Sequence, residues 1–182
     1  ILREANDLPA IRARGEHQTQ WRTITRRELH EMVGAAAEAM RQAGVVEGDR
    51  VVGYLPNIPE TIVAMLATST LGAIWSSCSP DFGVRGVLDR FERLDPKLLV
   101  CCDGYAYGGK RIDSRPRTAE ILEALAKTTA SPPQVVMVPF LDPDATTGIL
   151  PDAVSWDDFL KQGEGVPPDL TPAPFDRPHY IM

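Results

Sequence analysis

Basic side chains gather in one stretch of a chain that is acidic overall. The formal net charge of the 182 residues is −6 at pH 7, yet four cations lie close together: Lys110, Arg111, Arg115 and Arg117. Asp113 is the only acid among them, and the preceding stretch 104–109 contains three glycines. Glycine makes a loop adaptable, and a cationic loop at the end of a strand suits a polyanionic ligand. A basic loop that is only solvated is the alternative interpretation.

Motifs for other kinds of nucleotide or acyl chemistry are missing from the sequence. It contains no G-x-G-x-x-G, no G-x-x-x-x-G-K-[ST] and no G-x-S-x-G pattern. His17, His30 and His179 lie far apart and have no evident acid or nucleophile partner, which is typical of surface or structural histidines. We therefore assign no catalytic residue within this chain.

The three cysteines are predicted to be core thiols. Cys101 and Cys102 are adjacent in a predicted strand, where their side chains point to opposite faces, and this disfavours a bond between them. Cys78 stands apart, and no C-x-x-C pattern or Cys/His cluster of the zinc-binding kind occurs. Reduced thiols are typical of the cytosol, so we expect a cytoplasmic protein without a metal site in this chain.

Composition argues against two classes of partner. General nucleic-acid binders need a cationic face, whereas this chain is acidic. No run of about 20 apolar residues could span a membrane, and the start at 1–4 has no signal-peptide pattern. We expect neither nucleic acid nor membrane as a partner.

Apolar runs and helical stripes alternate along the chain. Strands are predicted over 51–55, 73–76, 98–102 and 135–138, and helices between 25 and 44, between 57 and 72, over 84–94 and over 118–127. This alternation predicts an α/β fold with a mainly parallel sheet, helices on both faces and right-handed crossovers.

Local signals mark several turns and helix starts. A hairpin over 10–13 and 20–24 is predicted to bracket the turn at residues 15 and 16. Thr25 with Glu28, and Asn57 with Glu60, have the spacing of a capping box. The stretch 103–114 is predicted to be a loop.

The end of the chain differs from the rest. The segment 141–178 is rich in proline and aspartate, and is predicted to be a surface excursion with one short helix over 155–161. The residues 179–182 read as the start of another strand. We expect the chain to be a piece of a longer protein, with an exposed sheet edge that favours self-association.

A resemblance to a known superfamily rests on three stretches. The run 49–60 resembles the adenylate-forming enzymes, which include acyl-CoA synthetases, firefly luciferase and adenylation domains of peptide synthetases. The stretches 24–29 and 71–81 look like the first and second core signatures of that superfamily. More narrowly, 71–83, 87–91 and 103–111 are similar to the acetoacetyl-CoA synthetases, so the specific resemblance covers about 48–114.

The resemblance implies an activity for the whole enzyme. Residues 1–182 would be part of the large N-terminal AMP-binding domain, and the phosphate-binding loop of the family would follow the strand at 180–182. The enzyme would use ATP with Mg²⁺ to convert acetoacetate to acetoacetyl-AMP, and would then transfer the acyl group to CoA. We expect the 182 residues alone to be inactive. A synthetase for another short acid, such as acetate or propionate, and a non-catalytic nucleotide-binding α/β module are the alternatives.

The resemblance also implies residues that contact CoA. In related synthetases the loop that corresponds to 79–83 approaches the CoA nucleotide, which points to Ser79 and Phe82. In acetyl-CoA synthetases two arginines near the 3′-phosphate of CoA fall on Tyr107 and Lys110. Because Tyr107 carries no charge, Arg111 would have to compensate. Trp75, in contrast, is predicted to pack under the sheet.

Overall fold

Helices and strands alternate along the chain, which we describe from a computed structural model over residues 2–150 and 152–182. The strands are β1 (Pro9–Ala13), β2 (Arg22–Thr25), β3 (Arg50–Tyr54), β4 (Ile74–Cys78), β5 (Leu98–Cys102), β6 (Gly104–Tyr107), β7 (Lys110–Asp113), β8 (Gln134–Val138) and β9 (Val154–Ser155). The α-helices are α1 (Arg26–Gln42), α2 (Pro59–Thr70), α3 (Val84–Phe91), α4 (Arg115–Thr128) and α5 (Trp156–Lys161), and a single 3₁₀ turn covers Glu92–Leu94.

Five of these strands form one parallel sheet in the order β4-β3-β5-β8-β9. The strand order reverses at β3, because β4 lies on one side of it and β5 on the other. In open α/β sheets ligands bind at such a reversal, outside the carboxyl ends of the strands. The topology therefore points to the loops that follow β3, β4 and β5.

The core lies on both faces of the sheet. One layer joins α1, α2 and α5 to the sheet and the other joins α3 and α4. Neighbouring strand residues alternate between the layers, so that Cys102 faces the first and Cys101 the second. The predicted parallel α/β fold with helices on both faces is confirmed, as is the burial of all three cysteines as free thiols.

The two predicted helix caps have different outcomes. The hydroxyl of Thr25 accepts a hydrogen bond from the Glu28 N–H, and the Glu28 carboxylate accepts one from the Thr25 N–H, which confirms the capping box of α1. The predicted cap of α2 is wrong, since Ile58 is the N-cap residue and makes no side-chain cap bond. Proline at the first helical position fixes this start, and the Glu60 carboxylate instead accepts a bond from Arg22.

The stretch that was predicted to be a loop over 103–114 contains a hairpin. Strands β6 and β7 pair antiparallel around the two-residue turn Gly108–Gly109. Both glycines have positive φ, at 58° and 76°, as the tight hairpin turn that matches strand twist requires. The loop prediction is therefore wrong for these residues, because the Gly-Gly pair joins two short alternating strands.

The predicted surface excursion over 141–178 contributes to the core. Strand β9 extends the sheet beside β8, and α5 packs its buried Trp156 and Phe159 into the layer that contains α1. At the end of the chain the Ile181 N–H donates to the Trp75 carbonyl oxygen at 2.9 Å, and Tyr180 forms an isolated parallel bridge to β4. Of the strand predicted to start at 179–182, only this one residue pairs with the sheet.

Trp75 packs under the sheet as predicted. Its side chain is buried in the layer that contains α2. A Cβ on Gly53, in the neighbouring strand, would lie only 2.6 Å from the Trp75 ring. Glycine at this position therefore makes room for the indole. None of the helices in the described part of the chain is long and apolar enough to cross a membrane.

Two helical glycines give a matched test of packing between α1 and the segment 166–168. A Cβ on Gly34 would overlap the carbonyl oxygen of Val166 and lie 2.9 Å from Pro168, whereas a Cβ on Gly86 would meet only the Phe82 ring edge at 3.3 Å. Alanine favours a helix over glycine by about 1 kcal/mol, but overpacking costs about 1–3 kcal/mol. We expect Gly34→Ala to lower the free energy of unfolding by about 1–2 kcal/mol in urea titration, and Gly86→Ala to leave it unchanged or raise it. Equal effects in both variants would contradict the packing of 166–168 on α1.

Candidate functional site

A cleft of about 410 Å³ opens at the carboxyl edge of the sheet. Its walls are the β1–β2 turn and the segments that follow β3, β4, β5 and β8. The lining comprises residues 13–18, 22, 56–60, 79–81, 105–107, 138–140 and 143. The cleft thus lies at the reversal of strand order, where the topology predicts a ligand.

The β1–β2 turn contacts the tip of the β6–β7 hairpin through one carboxylate. Glu16 accepts hydrogen bonds from the N–H groups of Gly108 at 3.2 Å and Gly109 at 2.6 Å. Successive N–H groups in such a turn form a concave anion site. Glu16 occupies this site and closes one side of the cleft. The Gly108–Gly109 pair can be recognised in the sequence, but no pattern in the sequence indicates that Glu16 is its partner.

A second carboxylate fixes the segment that follows β8. Asp103 is 3% exposed. Its Oδ1 accepts from the N–H groups of Phe140 at 2.7 Å and Leu141 at 2.9 Å, and its Oδ2 accepts from that of Asp142 at 2.8 Å. Three charge-assisted bonds hold this segment against the base of the hairpin. In the sequence, Asp103 stands out only as the first residue of the stretch 103–111 that resembles the acetoacetyl-CoA synthetases.

An ion pair lines the cleft beside α2. Arg22 Nη1 lies 2.5 Å from Glu60 Oε1, and the Glu60 side chain is 8% exposed while that of Arg22 is 51% exposed. The pair connects β2 to the first turn of α2, so it fixes the hairpin relative to the sheet. Because the Arg22 side chain is half exposed, solvent screens the attraction between its charge and the Glu60 carboxylate.

Two of the three histidines make structural contacts. His17 lies in the cleft wall, where its Nε2 is 3.1 Å from the Phe140 carbonyl oxygen and its ring meets the Phe140 ring edge-on at 4.8 Å. Nδ1 of His30 is 2.8 Å from the Leu2 carbonyl oxygen. Neither ring contacts a carboxylate or a nucleophile in these pairings, so both are consistent with structural roles.

The loop that follows β4 carries two of the predicted CoA-contacting residues. Ser79 is exposed in the cleft wall and donates to the Asp81 carboxylate at 3.1 Å. Phe82 is 41% exposed, and the Arg90 guanidinium lies 4.7 Å from its ring centroid. Tyr105 lies beside Asp81 of this loop. The pKa of its phenol is raised chiefly by burial and, second, by the hydrogen bond with the Asp81 carboxylate.

The four clustered cations do not act as one group. Arg115 forms an ion pair with Asp113 at 2.7 Å, and its hydrogen bonds lower the pKa of that carboxyl. Arg117 donates to the Pro80 carbonyl oxygen at 2.8 Å. Arg111 donates to the Leu141 carbonyl oxygen at 2.6 Å while its side chain stays exposed. Lys110 is exposed at the hairpin tip.

Strand alternation separates Lys110 from Arg111. Lys110 lies opposite Tyr107 and Arg111 lies opposite Ala106, and successive side chains of a strand point to opposite faces. Lys110 therefore shares a face with Tyr107, and Arg111 does not. Of the five residues predicted to contact CoA, Ser79 and Tyr107 line the cleft, whereas Phe82, Lys110 and Arg111 lie outside its lining.

No group of three histidine, cysteine or carboxylate side chains that could hold a metal ion occurs among residues 2–150 and 152–182. The clustered carboxylates at this edge accept main-chain N–H bonds instead, as Glu16 and Asp103 do. The described residues therefore do not fit a metal centre of their own.

Comparison with known proteins places these features in a family. The family model described as "AMP-binding enzyme" matches residues 2–182. The acetoacetyl-coenzyme A synthetase of Rhizobium meliloti (strain 1021) is 42% identical over 185 residues, and the acetoacetyl-CoA synthetase of Mus musculus is 40% identical over 187 residues. Each alignment covers 100% of this chain and 27% of the relative.

A solved structure agrees with these sequence matches. The acetoacetyl-CoA synthetase from Streptomyces lividans superposes with a TM-score of 0.84 and 38% identity, over 97% of this chain and 26% of that one. The chain thus spans about a quarter of the length of the relatives it matches. The resemblance seen in the run 49–60 is confirmed, and the chain belongs to the AMP-binding enzyme family.

Proposed function

We propose that this chain is part of an acetoacetate–CoA ligase that forms AMP. The observation that carries the proposal is the match to acetoacetyl-CoA synthetases along the whole chain. In the first half-reaction a carboxylate oxygen of acetoacetate attacks the α-phosphorus of ATP, and pyrophosphate leaves. In the second the sulfur of CoA attacks the acyl carbon of acetoacetyl-AMP, AMP leaves and the thiol proton is released.

We include ATP, CoA and Mg²⁺ in the proposal as reactants or partners of the complete enzyme. The triphosphate supplies the oxygen ligands that Mg²⁺ prefers, and the described residues of this chain show no metal cage of their own. We assign no catalytic residue here. The three cysteines are buried and free, which favours a reducing compartment and hence the cytoplasm.

We propose that the carboxyl edge of the sheet contributes to the CoA site. Lys110 offers an exposed cation next to Tyr107, and a charge-assisted bond to a phosphate would suit it. Arg111 offers unused guanidinium donors on the other face of the hairpin. Ser79 lines the cleft and Phe82 exposes part of an aromatic ring at the same edge, which suits a polar group and a nucleobase, respectively.

The substrate assignment is tested with the complete enzyme on a panel of acids. We expect pyrophosphate release from ATP to be fastest with acetoacetate, and slower with acetate and propionate. Because the chain spans about 27% of its relatives' length, we expect the 182 residues alone to release no pyrophosphate above background. Faster turnover of acetate would contradict the acetoacetate assignment, and turnover by the 182 residues alone would contradict the need for the rest of the enzyme.

The CoA assignment of the hairpin is tested with Lys110→Ala and Arg111→Ala, singly and together. A charge-assisted bond to phosphate is worth about 1–3 kcal/mol, so the double variant should raise the apparent KM for CoA by about tenfold or more. We expect Lys110→Ala to account for most of this, since Arg111 lies on the other face and already donates to Leu141. Adenylate formation, measured by pyrophosphate exchange, should be unchanged.

Lys127→Ala is the matched control, because it removes an exposed cation from the last turn of α4. It should leave the KM for CoA unchanged. An unchanged KM in the double variant would leave the hairpin as a solvated basic surface. Equal losses in both half-reactions would indicate a folding defect.

Phe82→Ala tests the loop at 79–83. Removal of the partly exposed ring should raise the KM for CoA more than the KM for acetoacetate, since the proposal places CoA and not the acyl group beside this loop. Phe175→Ala is the control, because Phe175 is a fully exposed phenylalanine at 106% of its reference area. A larger effect on acetoacetate than on CoA would refute the assignment.

A further inference from the structure

Tyr54 and Arg117 meet beneath the loop that connects β4 to α3. Tyr54 is the last residue of β3 and has no exposed surface, while Arg117 lies in the first turn of α4 and is half-buried. The two residues are 63 positions apart in the chain. They approach each other because the ends of β3 and β5 are neighbours in the sheet.

Hydrogen bonds from this pair reach two carbonyl groups of the loop. Arg117 Nη1 donates to the Pro80 carbonyl oxygen at 2.8 Å and lies 3.4 Å from the Tyr54 hydroxyl. The Tyr54 hydroxyl is 2.8 Å from the Phe82 carbonyl oxygen and 3.0 Å from that of Pro80. A phenol has one hydrogen to donate, so with Arg117 bonded to Pro80, Tyr54 is free to donate to Phe82.

The loop has little support of its own. Proline at position 80 has no N–H. The Phe82 N–H donates to the Ser79 carbonyl oxygen at 3.1 Å. The Asp81 N–H is 3.4 Å from the Ser79 hydroxyl, which is a weak bond. The Ser79 and Gly83 carbonyl groups accept main-chain bonds, whereas the Pro80 and Phe82 carbonyl groups in the middle of the loop are held by side chains from β3 and α4.

The chemistry of the pair suits a permanent support. Burial raises the pKa of the Tyr54 phenol, so the hydroxyl keeps its proton at neutral pH. Arginine remains charged at any relevant pH and donates in several directions. The Arg117 guanidinium therefore bonds to groups of the protein itself, whereas the ammonium group of Lys110 is exposed.

We infer that Tyr54 and Arg117 are positioning residues, which hold the loop 79–83 so that Ser79 and Phe82 face the ligand side of the sheet edge. Arg117 then acts through the loop and is not itself a ligand for phosphate. The inference deepens the proposed function and rests on it in one respect, since the loop is proposed to contact CoA.

Hydrogen–deuterium exchange tests the positioning without any substrate. In the complete enzyme, Tyr54→Phe and Arg117→Met should each accelerate exchange in peptides that span 79–84 by about tenfold, because each removes a bond from a buried or charged donor. Lys127→Met, which removes an exposed cation from the same helix as Arg117, should not. Unchanged exchange in both test variants would overturn the inference.

Steady-state kinetics separate this inference from the proposed function. We expect both variants to raise the KM for CoA with pyrophosphate exchange unchanged. Arg117→Lys should restore part of the loss, since an ammonium group can bond the Pro80 carbonyl oxygen. Faster deuterium exchange in the loop with an unchanged KM for CoA would uphold the positioning and overturn the CoA assignment. Equal loss in both half-reactions, with global acceleration of exchange, would overturn the positioning role in favour of a general structural one.

Discussion

Parallel pairing of β3 with both β4 and β5 is the constraint on which the site depends. A parallel pair cannot be joined by a tight turn, so each strand is followed by a crossover, and all carboxyl ends emerge at one edge of the sheet. The loop 79–83, the β6–β7 hairpin and the segment 138–143 are therefore neighbours although they are distant in sequence. The cleft is the space that these segments leave between them.

At this edge of the sheet, carboxylates accept hydrogen bonds from main-chain N–H groups. Asp103 accepts three N–H bonds from the segment after β8, and Glu16 accepts two at the hairpin tip. Main-chain donors that are buried need partners within the protein, and one carboxylate, such as that of the buried Asp103, can serve several donors. The anion site of the Gly108–Gly109 turn is thus already occupied by the protein, so an incoming phosphate would depend on side chains such as Lys110.

The four cations that lie close together in the sequence have separate surroundings in the structure. Arg115 neutralises Asp113 and Arg117 supports the loop at 79–83, which leaves Lys110 and Arg111 on opposite faces of a hairpin. Arginine serves well in such supports because its planar donors reach several acceptors at once. The member of the AMP-binding family described here therefore presents a much smaller cationic surface at the sheet edge than four adjacent basic residues would indicate.

The sequence by itself determined the alternation of strands and helices, the capping box of Thr25 with Glu28, the β1–β2 hairpin and, through the run 49–60, the family. These features depend on residues close together in the chain, where local hydrogen bonds and side-chain periodicity decide the outcome. Only the tertiary structure decided that Glu60 pairs with Arg22 and that Arg117 reaches the loop after β4. Such partners are 37 or 38 positions apart, and they meet only because the crossovers bring the strand ends to one edge of the sheet.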